Sequence, residues 1–191
     1  MLTTLTQEEM DNVLYDARFG DLETLRTIFT TEVSPEVLLT IKDEHTKVTP
    51  FHMASANGHL ELLKYLLTLL PNEKKREILN ATNESGNTAL HWAAYNGHVE
   101  IVQLLCDNEA DPFIKNSYDH DTFYEASNNN QEKVEDYLLE RYATEVEEEV
   151  QPESDENVQF NEGSEIEKVG EEDKKASEEL RRKTEQLNLS E

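Results

Sequence analysis

Cysteine is nearly absent from this chain: Cys106 stands alone among 191 residues. A disulfide framework is thereby excluded, which fits a reducing compartment. The place of Cys106 in an apolar helical run makes a buried, inert thiol the expectation rather than a reactive one. Basic residues are scarce too, 17 lysines and arginines against 42 aspartates and glutamates, leaving a net charge of -25 and a pI near 4.5. Nucleic acid and anionic membranes would repel such a chain, whereas a basic protein would attract it. No apolar run approaches the roughly 18 residues of a membrane span. Met1–Met10 has neither the basic start nor the apolar stretch of a signal peptide. The sequons at Asn80, Asn83 and Asn188 are accordingly read as chance matches. Apolar residues make up only 36% and charged residues 31%, so part of the chain is expected not to pack.

What the chain does have is a repeat. Asn83–Cys106 (N-E-S-G-N-T-A-L-H-W-A-A-Y-N-G-H-V-E-I-V-Q-L-L-C) reads as a turn, a short helix, a tight Gly-containing turn and a second helix. Thr49–Leu67 (T-P-F-H-M-A-S-A-N-G-H-L-E-L-L-K-Y-L-L) matches it position for position, with Gly58 and Gly97 marking the same place 39 residues apart. A self-similar helical unit of this size implies a stacked array. The T-P-F-H-M-A and T-A-L-H-W-A runs resemble the T-P-L-H-x-A signature of the ankyrin-repeat family. The expected fold is therefore all-α, an ankyrin-type solenoid of about four helix-turn-helix units, with repeats near 7–32, 44–70, 83–110 and 116–142.

The outer units are degenerate. In the first, T-Q-E-E at Thr6–Glu9 has the form of a capping box, and Met10, Val13, Leu14 and Ala17 share one face before Gly20. Leu22, Leu25, Ile28 and Phe29 supply the next stripe. In the fourth, Asn130 stands where Gly97 stood, and asparagine tolerates the left-handed backbone of such a turn. Phe123, Ala126, Val134, Leu138 and Leu139 keep the core pattern there. Two extra segments stretch the period beyond about 33 residues. One, near 33–42, opens on Ser34-Pro35 as cap and first helical residue. The other, near 72–80, follows the block at Pro71. It carries Lys74-Lys75-Arg76, read as a solvated helical face rather than a nucleic-acid patch.

The repeat domain is placed at 1–143 and an acidic tail at 144–191. From Glu145 onward 17 acidic and 6 basic residues fill 47 positions, with Phe160 the one aromatic. Such a composition cannot bury enough apolar surface to offset chain entropy, so the tail is expected to be mostly disordered. A helix near 171–188 is a candidate exception. Its acids come early and its bases late, and Glu178–Arg182 and Glu179–Lys183 are favourable i,i+4 pairs.

Catalytic patterns are lacking: there is no phosphate loop, no G-x-S-x-G, no H-E-x-x-H, and no carboxylate with apolar flanks. No enzyme, catalytic residue, cofactor or metal is expected. The ankyrin resemblance implies instead that His52, His91, His59 and His98 tie each repeat to its neighbour. It also implies that the turn tips and first helices line a concave binding face. Carried over residue by residue, that face holds Tyr15, Arg18 and Phe19, then Met53 and Asn57. Glu84, Trp92, Tyr95 and Asn96 follow, then Tyr118, Glu125 and Asn128. The aromatics and Met53 would form a track rimmed by carboxylates, suited to a basic amphipathic segment.

The likeness extends past the repeats. Ala17–Glu36, Leu90–His98, Leu104–Asn116, Gly163–Val169 and Thr184–Leu189 resemble the fungal ankyrin-repeat chaperones dedicated to small-subunit ribosomal protein S-three. This resemblance implies a soluble escort, cytoplasmic and nuclear, with that basic protein as client and small-subunit ribosome biogenesis as its setting; the chain is expected to be a monomer. An ankyrin adaptor for a non-ribosomal partner and an acidic histone-type chaperone remain as alternatives.

Overall fold

The computed structural model describes the backbone of residues 1–149 and the side chains of residues 1–142; the remainder, including the helix expected near 171–188, lies outside the described residues. Among the described residues the chain is all-α, apart from one isolated parallel bridge between Leu2 and Val33.

Each repeat contributes a helix pair. α1 (Gln7–Phe19) and α2 (Leu22–Thr27) form the first, α3 (Pro50–Ala56) and α4 (Leu60–Leu69) the second. An additional helix, α5 (Asn72–Leu79), precedes the third pair, α6 (Ala89–Tyr95) and α7 (Val99–Asp107); α8 (Thr122–Asn128) and α9 (Glu132–Glu149) form the fourth. The first helices pack in the order α1, α3, α6, α8 and the second helices in the order α2, α4, α7, α9, so two parallel rows build one core. That core is aliphatic. Leu25, Leu63, Leu66, Leu90, Leu105 and Leu138 are fully buried, each stabilising the fold by about 1.5–3 kcal/mol relative to an exposed side chain.

The helix starts follow from local chemistry. At Thr6 the expected capping box forms: the Thr6 N–H donates to Glu9 Oε2 at 2.7 Å, and the Glu9 N–H donates back to Thr6 Oγ1 at 3.3 Å. In α3 and α6 a histidine does what Glu9 does in α1. The Thr49 N–H donates to His52 Nδ1 at 3.3 Å and the Thr88 N–H to His91 Nδ1 at 3.2 Å. Asp121 caps α8 through the Tyr124 N–H.

Both extra segments fold onto the rows. Pro35–Leu39 forms a 3-10 turn that buries Val37 and Leu38 and touches α4, while α5 buries Leu79. The Lys74-Lys75-Arg76 cluster lies on α5, where Lys74 pairs with Glu77 at 2.6 Å. α2 ends at Thr27 and widens into a π-turn over Ile28–Glu32, still burying Phe29. Leu139 departs from the expected core pattern: it is 43% exposed, because Leu138 beside it takes the inward position on α9. α9 crosses position 143, with a break in its helical dihedrals at Tyr142.

Candidate functional site

The turn tips repeat one device. Asp43, Asn83 and Asn116 each turn a side-chain oxygen back onto two following backbone N–H groups: His45 and Thr46, Ser85 and Asn87, Tyr118 and His120. Such Asx turns hold the tips without strands. Successive tips are bonded: the Glu84 N–H donates to Thr46 O at 2.8 Å and the Ser117 N–H to Ser85 O at 3.0 Å. Gly86 makes the second bond possible. Its φ is +77°, and a Cβ there would stand 2.8 Å from Ser117 N and 2.9 Å from Asn116 Cα.

Histidines join the repeats at two levels. His52 and His91 accept at Nδ1, so the proton sits on Nε2, which donates to Asn87 O at 2.9 Å and His120 O at 3.1 Å respectively. Burial drives both imidazoles below their ordinary range, His52 to about 4. They are neutral spacers, with no lone pair free for a metal. At the helix turns His59 Nε2 lies 2.8 Å from Arg18 O and His98 Nε2 lies 3.2 Å from Ala56 O. At the third joint Gln131 takes the histidine's place, its amide donating to Tyr95 O at 3.1 Å. A Cβ at Gly20 would lie 2.5 Å from the His59 ring, which, with a φ of +73°, explains the glycine.

This scaffold distributes the twelve residues singled out by sequence over one row. Tyr15, Arg18 and Phe19 are exposed on α1, with the Tyr15 and Phe19 rings 4.5 Å apart. Met53 is half-buried on α3; Asn57, just after it, is exposed and its amide donates to Met53 O. Glu84 is exposed at the third tip and Asn128 at the end of α8. The other five, Trp92, Tyr95, Asn96, Tyr118 and Glu125, converge on a cleft of about 330 Å³ between the third and fourth repeats. Trp92 is half-buried, edge-on to His52 at 5.5 Å between ring centres. Tyr95 and Tyr118 are exposed, 52% and 70%.

Asn87, His91 and Asn116 complete the cleft, and Asn116 was not picked out from sequence. Its amide donates to Asn87 Oδ1 at 2.7 Å and to Glu125 Oε1 at 3.2 Å, binding the fourth tip to the third and orienting the carboxylate. The signal for it was present: N-S-Y-D-H-D at Asn116 mirrors N-E-S-G-N-T at Asn83, so both asparagines close the same turn. Tyr124 stands where His91 stands in the third repeat, and its ring stacks on His120 at 3.7 Å instead of capping a helix. Among the described residues no group of three or more His, Cys, Asp or Glu side chains is placed to hold a metal. The arrangement offers an aromatic and amide surface with a carboxylate in its wall.

Two rows of helices, bonded tips and interlocking histidines define a stacked-repeat protein, and the chain belongs to the ankyrin-repeat family. The family model described as "Ankyrin repeats (3 copies)" matches residues 13–116 and 75–150. The chain is similar to the ankyrin repeat-containing protein YAR1 of Saccharomyces cerevisiae, with 47% identity over 97% of this chain and 96% of that protein. An ankyrin repeat-containing protein of Schizosaccharomyces pombe is 42% identical over 69% of this chain and 84% of its own length. Among solved structures, a chain in the crystal structure of yeast ribosomal protein Rps3 in complex with its chaperone Yar1 superposes with a TM-score of 0.71. It is 48% identical, and the match covers 73% of this chain and 96% of that one.

Proposed function

We propose that this chain is the dedicated chaperone of a small-subunit ribosomal protein of the Rps3 type. It binds the newly made protein, keeps it soluble and escorts it from cytoplasm to nucleus for small-subunit assembly. The observation that carries this reading is the 47% identity to YAR1 across 97% of the chain. Likeness restricted to a generic repeat core would not reach so far.

The physical properties fit such a client. Ribosomal proteins are basic, and a chain with a net charge of -25 attracts them at long range and speeds encounter. The aromatic row from Tyr15 to Tyr118 then supplies short-range contact area, where tyrosine and tryptophan contribute most per residue. No step requires bond making or breaking: the protein acts by occupying surface, not as an enzyme, and as a monomer.

The test is aggregation of purified Rps3 diluted from denaturant, followed by light scattering with and without equimolar full-length chain. Suppressed scattering and a co-eluting complex on gel filtration support the reading. Unchanged scattering with no complex refutes it, and capture of histones or a non-ribosomal regulator from lysate in place of Rps3 would redirect it.

A further inference from the structure

The cleft between the third and fourth repeats contains an electrostatic imbalance. The Glu125 side chain is only 13% exposed. Its oxygens accept from the Asn116 amide at 3.2 Å and the Asn129 amide at 3.5 Å. The basic group nearest to it is the His120 imidazole, Nδ1 at 3.4 Å from Oε1; no lysine or arginine reaches it among the described residues. A carboxylate withdrawn this far from water ordinarily has a cationic partner, because neutral amides return only part of its lost hydration. Here the space in front of it is the open cleft of about 330 Å³, walled by Trp92, Tyr95 and Tyr118.

We propose that this cleft is a subsite for one arginine side chain of the bound protein. The guanidinium lies against the Trp92, Tyr95 and Tyr118 rings and donates to the Glu125 carboxylate. Three features favour arginine over lysine. A planar guanidinium stacks on aromatic faces, where an ammonium keeps more of its hydration. Its forked donors match a carboxylate fixed in orientation, and Asn116 and Asn129 hold Glu125 from one side each. The remaining donors meet amide side chains, Asn87 and Asn96, which line the same cleft. The subsite rests on the protein-binding reading of this face, and adds to it the side chain recognised and the residue that discriminates.

Trp92 is the chain's single tryptophan and lies in the cleft wall, so its fluorescence reports occupancy directly. N-acetyl-arginine amide is titrated into the full chain at pH 8 and constant ionic strength, beside the lysine and citrulline amides. The arginine probe should give a saturable change with a midpoint on the order of 1 mM. Citrulline, which keeps the shape and loses the charge, should bind about tenfold more weakly, and lysine about threefold more weakly. Glu125→Gln should bring arginine down to the citrulline level. Should that variant unfold through its lost contacts, Tyr118→Leu, at a 70% exposed position, should cost about threefold in arginine affinity with an unchanged melting profile. Equal binding of arginine and citrulline, equal binding of arginine and lysine, or no saturable response overturns the subsite. Those results leave Rps3 capture untouched as a separate readout. An arginine response without Rps3 binding would keep the subsite and remove the proposed client.

Discussion

Acidification should destabilise the stack through the cap of α3, and His52 is the reason: a proton added at Nδ1 removes the acceptor for the Thr49 N–H, while the Nε2 bond to Asn87 O can persist. Its Nε2 donates to Asn87 O at 2.9 Å, its Nδ1 accepts from Thr49, and its pKa falls from 6.5 to about 4 because the ring is buried. At pH 7.5 the imidazole is neutral whether the chain is folded or not, and contributes nothing to the pH dependence. Below 6.5 the unfolded chain takes up a proton that the folded one refuses, so stability falls with pH until the folded pKa is reached. The loss is about 2 kcal/mol at pH 5.0 and about 3 kcal/mol near pH 4, at 1.36 kcal/mol per unit. His91, displaced in the same direction by burial, adds to it. The capping carboxylates Glu9, Asp21 and Asp43, held low by their hydrogen bonds, contribute a further loss only as pH falls through the usual carboxylate range and below it. Urea unfolding at pH 7.5 and 5.0 measures the effect while avoiding the isoelectric region near 4.5, where solubility is lowest. His52→Gln separates it from general charge effects: the variant is less stable at pH 7.5 and should lose about 2 kcal/mol less on acidification. Equal losses in both proteins would show that the buried imidazole is not what couples the stability of the stack to protons.

Three further outcomes follow from the same geometry. Gly86→Ala forces a left-handed backbone on alanine and sets a Cβ against Ser117 N, so it should destabilise by about 2 kcal/mol in chemical denaturation. On α9, Leu138→Ala should cost about 2–5 kcal/mol and Leu139→Ala under about 1 kcal/mol, since one is buried and the other 43% exposed; equal costs in thermal melts would contradict the register. Rps3 binding followed by calorimetry should weaken several-fold from about 50 to about 300 mM salt yet persist, as expected when screened charge attraction adds to unscreened aromatic contact.

Much of the stack was legible because the backbone demands particular residues there. Gly20, Gly58 and Gly97 mark turns with φ between +73° and +80°, and Asn130, read as their stand-in, has φ +56°. The interlocking histidines were legible only through the ankyrin resemblance, which implied that they tie each repeat to its neighbour. What escaped was chemistry carried by an unlike residue. Gln131 repeats the bond of His59 and His98 with an amide, and nothing in its side-chain type announces a joint. Leu139 was misread because two adjacent leucines satisfy a helical stripe equally until packing selects Leu138. At the site, the residue types of Trp92, Tyr95 and Tyr118 were readable from their repeat positions. Their closure into a cleft was not, because it depends on Asn116 tying two tips that lie 29 residues apart in the chain.

The central claim is that this row of first-helix and tip residues holds an Rps3-type client. Titration calorimetry of purified Rps3 with the full chain and with the Tyr95→Ala/Tyr118→Ala variant tests it most directly. Both tyrosines are largely exposed, so the variant should melt with the parent. The expected result is saturable binding by the parent and binding at least about tenfold weaker by the variant, as for two aromatic contacts. Undiminished binding by a folded variant, or none by the parent, would contradict it.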